Sequence, residues 1–427
     1  MEKYVEYKDS GIPWIGNIPA HWSIQRGKNV LILLDRPVNQ NDEVITCFRD
    51  GEVTLRKNRR EDGFTVSLQE IGYQGVEPGD LVVHGMDGFA GSIGISDSRG
   101  KATPVLNVMD SLHNKRFLMY YLRMAAYKDV FMSLSTGIRV RSCDLRWNKL
   151  SIFPFVLPNP NEQDQIVNYI DENLKKIDTI IAEAKASIEE YKAWKASIIY
   201  EAITKGLDPD VEMKDSGVEW IGTIPNDWSV QRLKTLICEP LQYGANETGI
   251  EYSDELPRYI RITDVTANGT LKENGKLSLP EEVAGAYILQ DCDILLARSG
   301  GTVGKAFFYK AEYGRAAFAG YMIRARVNPD MIHPKLVYFS TLSANYDDWK
   351  ATTMTQATIQ NIGANKYNDF YVVVPPIKKQ ELLVSYIENK TEEIDALITE
   401  KESLVLDLEA YKKSLIFETV TGKRKVV

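Results

Sequence analysis

The sequence predicts an α+β protein built twice: two globular domains joined by two long helices that form an antiparallel coiled coil, with an internal pseudo-twofold. Three observations predict it. The stretch KDSGIPWIGNIPAHWSIQR, from Lys8, returns as KDSGVEWIGTIPNDWSVQR from Lys214, 206 residues later. Each copy opens a globular text of short strands and turns, and each globule is followed by a helical text. The two helical texts align without gaps when shifted by 217 residues: Gln163 meets Gln380, Ile177-Asp178 meets Ile394-Asp395, and Ser197 meets Ser414. A long-period repeat of this kind sets architecture ahead of local propensity.

Taken in order, residues 1–158 form the first domain, 159–206 the first long helix, 207–376 the second domain and 377–427 the second long helix. Inside the first domain, GVEPGDLVVHGMDGFAGSIGIS reads as strand, glycine-rich turn, strand. Its counterpart is YILQDCDILLARSGGTVGKAFFY, in which Asp293 matches Asp80 and Gly304 matches Gly91. Short helices are expected near Lys115–Phe131 and near Pro334–Trp349. Strands and helices do not alternate, which argues for α+β rather than βαβ units.

The first helical text has no Pro or Gly between Asn161 and Lys205. Its apolar seam is Ile170, Leu174, Ile177, Ile181, Ala184, Ile188, Tyr191, Ile198 and Ala202, interrupted by Lys195. That is a heptad seam seeking a partner helix. The second seam is Ile387, Ile394, Ile398, Val405, Leu408 and Leu415, with Leu397, Leu404 and Tyr411 alongside. A helix from Glu162 to Thr204 spans about 64 Å. If the seams pair with each other, the second helix runs back along the first, giving a two-helix rod; the alternative is that each pairs with a helix of another subunit. Ile177, Ile181, Ile394 and Ile398 are the packing residues expected between the helices.

Composition excludes several classes. With 427 residues, 44% hydrophobic and 26% charged, the chain is ordinary for a soluble globular protein. No apolar run reaches the ~18 residues of a membrane span, and MEKYVEYKDSG lacks the apolar core of a secretory signal. A cytoplasmic location is expected. Cys47, Cys143, Cys238 and Cys292 show no C-x-x-C spacing and are expected to be small core residues. The net charge of −8 argues mildly against bulk nucleic-acid binding. It is uneven: residues 1–158 carry 20 Lys+Arg against 18 Asp+Glu, and residues 206–375 carry 16 against 22.

No catalytic or metal residues are expected. RSGGTVGKA (Arg298–Ala306) departs from a Walker loop, because Gly300 stands three residues before Gly304 and Ala306 follows Lys305. The four histidines, His21, His84, His113 and His333, form no H-E-x-x-H, and no G-x-S-x-G or dinucleotide fingerprint is present.

Polyanion-binding candidates remain. FRDGEVTLRKNRREDGF offers Arg49, Arg56, Lys57, Arg59 and Arg60, weighed against a self-neutralised loop because Asp50, Glu52, Glu61 and Asp62 are interleaved. TGIRVRSCDLRWNK offers Arg139 and Arg141, alternating on one strand face. The second domain differs at these places. It offers Arg261 and Thr263, then Arg298, Ser299, Thr302 and Lys305 in the turn, and Gln356, Thr358 and Gln360 near its end. Shared residues look structural, and the variable ones look like readers.

The duplicated KDSG-x-x-WIG-x-IP-x-x-W opening, the GDLVV/CDILL strand with its glycine turn, and the gap-free helix pair together resemble the DNA-specificity subunits of Type I restriction-modification systems. The resemblance covers nearly the whole chain. It implies that the globules are target recognition domains, and that the chain is non-catalytic and binds no cofactor of its own. It implies double-stranded DNA, two methyltransferase subunits that carry S-adenosylmethionine, and endonuclease/translocase subunits as partners, with no membrane. Two different readers on an antiparallel rod imply a bipartite, asymmetric target. Trp14, Trp22, Trp220 and Trp228 are then expected to pack each domain onto the rod or onto a methyltransferase subunit. The alternative is a coiled-coil protein-interaction scaffold without DNA specificity, which the negative charge favours. A fused methyltransferase–specificity enzyme is disfavoured by length and by the missing cofactor motifs.

Overall fold

The structure, a computed structural model, describes residues 2–59, 70–133, 145–266, 269–353 and 361–426. The chain divides into two compact units, Met1–Glu183 with Leu404–Val427, and Ala184–Ser403. Two long helices, Pro160–Lys205 and Ile377–Val420, each contribute to both.

The duplicated opening folds the same way in each unit for a readable reason. In the first, the Asp9 carboxylate accepts from the Gly11 amide at 3.0 Å and the Ser10 hydroxyl accepts from the Ile12 amide at 3.1 Å. In the second, Asp215 accepts from Gly217 at 2.9 Å and Ser216 from Val218 at 3.1 Å. Such side-chain-to-backbone bonds write a turn. Gly11 and Gly217, at φ 64° and 74°, take the left-handed conformation that the turn demands. The turn closes a two-stranded hairpin, Tyr7–Asp9 with Asn17–Pro19, and Met213–Asp215 with Thr223–Pro225.

Each unit then centres on a four-stranded antiparallel sheet of the same order. In the first the order is Ile32–Leu33, Leu106–Asp110, Leu81–His84, Ile93–Ile95. In the second it is Gln242–Tyr243, Met322–Ala325, Ile294–Ala297, Ala306–Phe308. Both have the expected strand, turn, strand. Beyond this the units diverge. The first adds two two-stranded pieces, Ile45–Cys47 with Val53–Leu55 and Gln74–Val76 with Gly100–Ala102. The second adds a four-stranded sheet with one parallel pair, Arg258–Ile260 beside Ala316–Phe318.

The long helices pack antiparallel within each unit. In the first, Ile177 and Ile181 cluster with Leu415, with Val405 and Leu408 alongside, and Lys412 pairs with Asp178 at 2.5 Å. In the second, Ile188 clusters with Ile394 and Ile398. Lys195, which interrupts the seam, reaches both oxygens of Asp395 at 2.6 and 2.7 Å. Gln163 and Gln380, matched in sequence, do the same work. Each accepts from the backbone of the N-cap residue of a short helix (Asn114 at 2.9 Å, His333 at 2.6 Å) and donates to a proline carbonyl at its own helix start.

Three expectations are corrected. The helix near Lys115–Phe131 is two, Lys115–Tyr127 and Val130–Ser133, because Asp129 takes a left-handed φ of 55° between them. The helix near Pro334–Trp349 is also two, Pro334–Ser340 and Tyr346–Thr353, with the Ser343 hydroxyl bonded to the Ser340 carbonyl and to Asn345 in the break. Of the cysteines, Cys47 is buried, but Cys238 is exposed and Cys292 intermediate; Cys143 lies outside the described residues. Burial pushes the Cys47 thiol up to about 12.

Cys292 also carries a positive φ, 68°, where the first unit has Gly79 at 88°. A β-carbon there is strained. Cys292→Gly is expected to raise the stability of the second unit by about 0.5–1 kcal/mol, read as a higher urea midpoint at constant slope; an unchanged or lowered midpoint would count against the strain.

Candidate nucleic-acid interface

In the first unit, the described candidate cations are held by their own domain. Arg49 pairs with Asp87 of the glycine turn at 3.2 Å. Arg56 donates to the Thr46 hydroxyl at 3.3 Å. Lys57 pairs with Glu43 at 2.5 Å. Arg59 pairs with Asp50 and Glu52 at 2.5 and 3.1 Å and lies over the Phe48 ring at 4.3 Å. Exposed pairs of this kind contribute little to stability, so they can be exchanged for phosphate. Arg60, Arg139 and Arg141 lie outside the described residues. The turn itself is capped by His84, whose Nδ1 accepts from the Met86 and Asp87 amides at 3.2 and 3.0 Å. Burial lowers the pKa of this imidazole, which favours the neutral acceptor form.

The second unit splits its candidates into groups. Arg261 is locked to Asp264 at 2.7 Å and to the Gly275 carbonyl at 3.1 Å. Thr263 is exposed beside it, its carbonyl accepting from Lys272 at 2.7 Å. Thr302 and Lys305 line a cleft of about 490 Å³ with Lys195, Tyr338, Lys350 and Asp395. There the Lys305 ammonium donates to the carbonyls of Val265 and Thr266 at 3.2 and 3.1 Å, and burial lowers its pKa. A lysine spent on loop carbonyls is a structural latch rather than a phosphate ligand. Gln356, Thr358 and Gln360 lie outside the described residues.

Arg298 and Ser299 form a separate group. The Arg298 amide donates to the Tyr321 carbonyl at 3.0 Å, and its carbonyl accepts from the Ile362 amide at 2.8 Å. Ser299 bridges to Asn361. The guanidinium lies over the Tyr243 ring at 4.9 Å. The Tyr243 hydroxyl accepts from the Ala364 amide at 2.9 Å, which fixes the ring. Tyr243 and Tyr321 are 41% and 65% exposed. Sequence reasoning passed over both tyrosines. Their only signal was an aromatic beside a strand that also carries polar residues, which is common in ordinary cores.

The tryptophans sit inside their own units. Trp14 stacks on Phe153 and Trp220 on Phe370, with ring centroids 5.9 and 5.6 Å apart. Trp22 is fully buried, and its indole donates to Glu162 of the first long helix at 3.1 Å. Trp228 is 2% exposed beside Leu383 and Gly206. Its indole N–H has no hydrogen-bond partner among the described residues.

No family model and no curated protein matches the chain. Solved structures do. A chain from the structural study of complex assembly and conformational transition of the type I R-M system is 12% identical, with a TM-score of 0.69, covering 95% of this chain and 99% of its own. The HsdS subunit from Thermoanaerobacter tengcongensis is 13% identical, with a TM-score of 0.48, covering 95% and 98%. The type I system S subunit from M. genitalium is 13% identical, with a TM-score of 0.37, covering 92% and 96%. The likeness to the first is one of fold, along the whole chain.

Proposed function

We propose that this chain is the DNA-specificity subunit of a type I restriction-modification system. It is non-catalytic, reads a bipartite asymmetric target in double-stranded DNA, and docks two methyltransferase subunits, joined by endonuclease/translocase subunits in the complete enzyme. The observation that carries this reading is the fold likeness over 95% of the chain to a chain of the type I R-M system. The duplicated sheet with unlike additions supports two half-sites of different sequence. S-adenosylmethionine belongs to the methyltransferase partner, which flips the target adenine from the duplex. The protein works in the cytoplasm; among the described residues no helix is long and apolar enough to cross a membrane.

The net charge of −8 bears on affinity. The described candidate cations of the first unit must give up partners within the domain before they can meet phosphate, so the methyltransferase subunits supply part of the phosphate clamp. The chain alone is expected to bind DNA weakly, losing affinity steeply between low and physiological salt. With its methyltransferase partner it is expected to prefer one bipartite sequence. Methylome sequencing with and without the gene, together with mobility shift of the reconstituted complex, checks this. A split methylated-adenine motif that disappears on deletion is the expected result. A complex with no sequence preference would leave a protein-interaction scaffold as the function.

A further inference from the structure

Among the described candidate cations, Arg298 alone has neither an acidic partner nor a side-chain hydrogen bond. Its Nε is buried without a partner among the described residues. A guanidinium offers five N–H donors in a planar fork, and it stays charged. Leaving the buried Nε–H unpaired is costly, unless an acceptor arrives from outside.

The surroundings say what kind of acceptor. Arg298 is anchored rather than mobile: its backbone is bonded on both sides, and its side chain is laid on a ring that is itself pinned by the Ala364 amide. A pinned planar fork suits two acceptors in fixed geometry. A fork can also grip a phosphate through two bonds, but a site for the DNA backbone gathers several free cations. Here the nearby candidate cations are occupied: Lys305 holds loop carbonyls and Arg261 holds Asp264. What stands beside Arg298 is the exposed residue Tyr321, bonded to it through the backbone, and the Ser299–Asn361 backbone bridge. The O6 and N7 of guanine, on one edge in the major groove, are the pair of acceptors that an arginine fork fits.

The internal repeat supplies an independent observation. Strand Leu81–His84 of the first unit is followed by Gly85, at the place of Arg298. The backbone pairing is the same: the Gly85 carbonyl accepts from Leu145 at 2.8 Å, as that of Arg298 accepts from Ile362. The scaffold is thus duplicated, and the side chain is not. We infer that Arg298 is the guanine-reading side chain of the second unit, positioned by Tyr243, and that the first unit has no equivalent contact. This rests on the DNA-reading function proposed above.

The test uses the full chain reconstituted with its methyltransferase partner. Competition binding is measured with duplexes in which each base pair of the methylome-defined motif is replaced in turn. Arg298→Ala is expected to erase a roughly 10- to 100-fold preference for guanine at a single position in one half-site. Discrimination elsewhere, and the slope of log affinity against log salt, should stay unchanged. Arg298→Lys keeps the charge and is expected to lose the same preference, and Tyr243→Leu to weaken it. Uniform weakening across all sequences with a shallower salt slope would make Arg298 a phosphate contact and overturn the inference, as would relaxation in both half-sites or none. If the unsubstituted complex shows no sequence preference, the DNA-reading function itself fails, which is a separate outcome. Among the described residues the Arg298 side chain makes no hydrogen bond, so both Arg298 variants should fold; Tyr243→Leu gives up the bond from the Ala364 amide, and thermal melts of all three variants report folding directly.

Discussion

Glu162→Ala is expected to destabilise the first unit by about 3 kcal/mol, against less than about 1 kcal/mol for Lys379→Ala at the matching place in the second. Glu162 is 4% exposed in the first turn of its helix. Its carboxylate accepts from the Tyr4 hydroxyl at 2.7 Å and from the Trp22 indole at 3.1 Å, and its other oxygen meets His21 at 3.0 Å. Burial, and then this carboxylate, push the Tyr4 phenol well above the ordinary tyrosine range, so the phenol stays a donor. Removing the acid strands two donors against the Trp22 ring, which is the expensive way to lose hydrogen bonds. The repeat provides the control. Lys379 replaces Glu162, and its pair with Asp227 at 2.8 Å is exposed. Urea unfolding of each variant beside the unsubstituted chain, followed by tryptophan fluorescence, gives the number. Equal costs for the two variants would show that the carboxylate is not the anchor.

Asp293→Ala is expected to cost about 3 kcal/mol, because it leaves the part-buried Arg326 and the buried Arg324 to share Glu239 as their remaining counter-charge. Asp293 is fully buried. It accepts from the Gln290 amide at 2.8 Å and takes both Arg326 Nε and Nη2 at 2.8 Å. Arg324, whose guanidinium loses charge affinity through burial and then through Arg326, stands in the same group with Glu239. Without Asp293 the two arginines repel across one carboxylate. Replacing both partners, as in Asp293→Leu with Arg326→Leu, should cost clearly less than Asp293→Ala alone. A double-mutant cycle in urea checks the coupling, and additive costs would rule the pairing out as its source.

How much was legible in the sequence follows from these residues. The hairpin turns were written locally, because the Asp and Ser side chains accept from amides two residues on and Gly supplies the left-handed turn. The seams were legible because helix periodicity needs no knowledge of the partner. Asp80 and Asp293 were matched by sequence, and each caps its own turn through an amide three residues back, at 2.8 Å in both units. Their counter-ions were not legible. Arg36 lies 44 residues before Asp80, whereas Arg326 lies 33 residues after Asp293. Equivalent acids thus recruit arginines from opposite directions of the chain, which no local pattern encodes.

The candidate interface was the least legible part. Cationic runs are visible as composition, but whether a cation is free depends on acids folded next to it. Arg49 meets Asp87, 38 residues on, and Arg59 meets Asp50. Arg298 was one candidate among many until the fold laid it on Tyr243 and left it without an acid. The sequence alone determined that this protein is one plan executed twice, and where its long helices and duplicated turns fall, because those depend on spacing and on bonds of short reach. The tertiary structure alone decided which of the described candidate cations are already spent and which one of them is left. Ion pairing depends on distance through space, and two domains with the same scaffold can bring different strangers together.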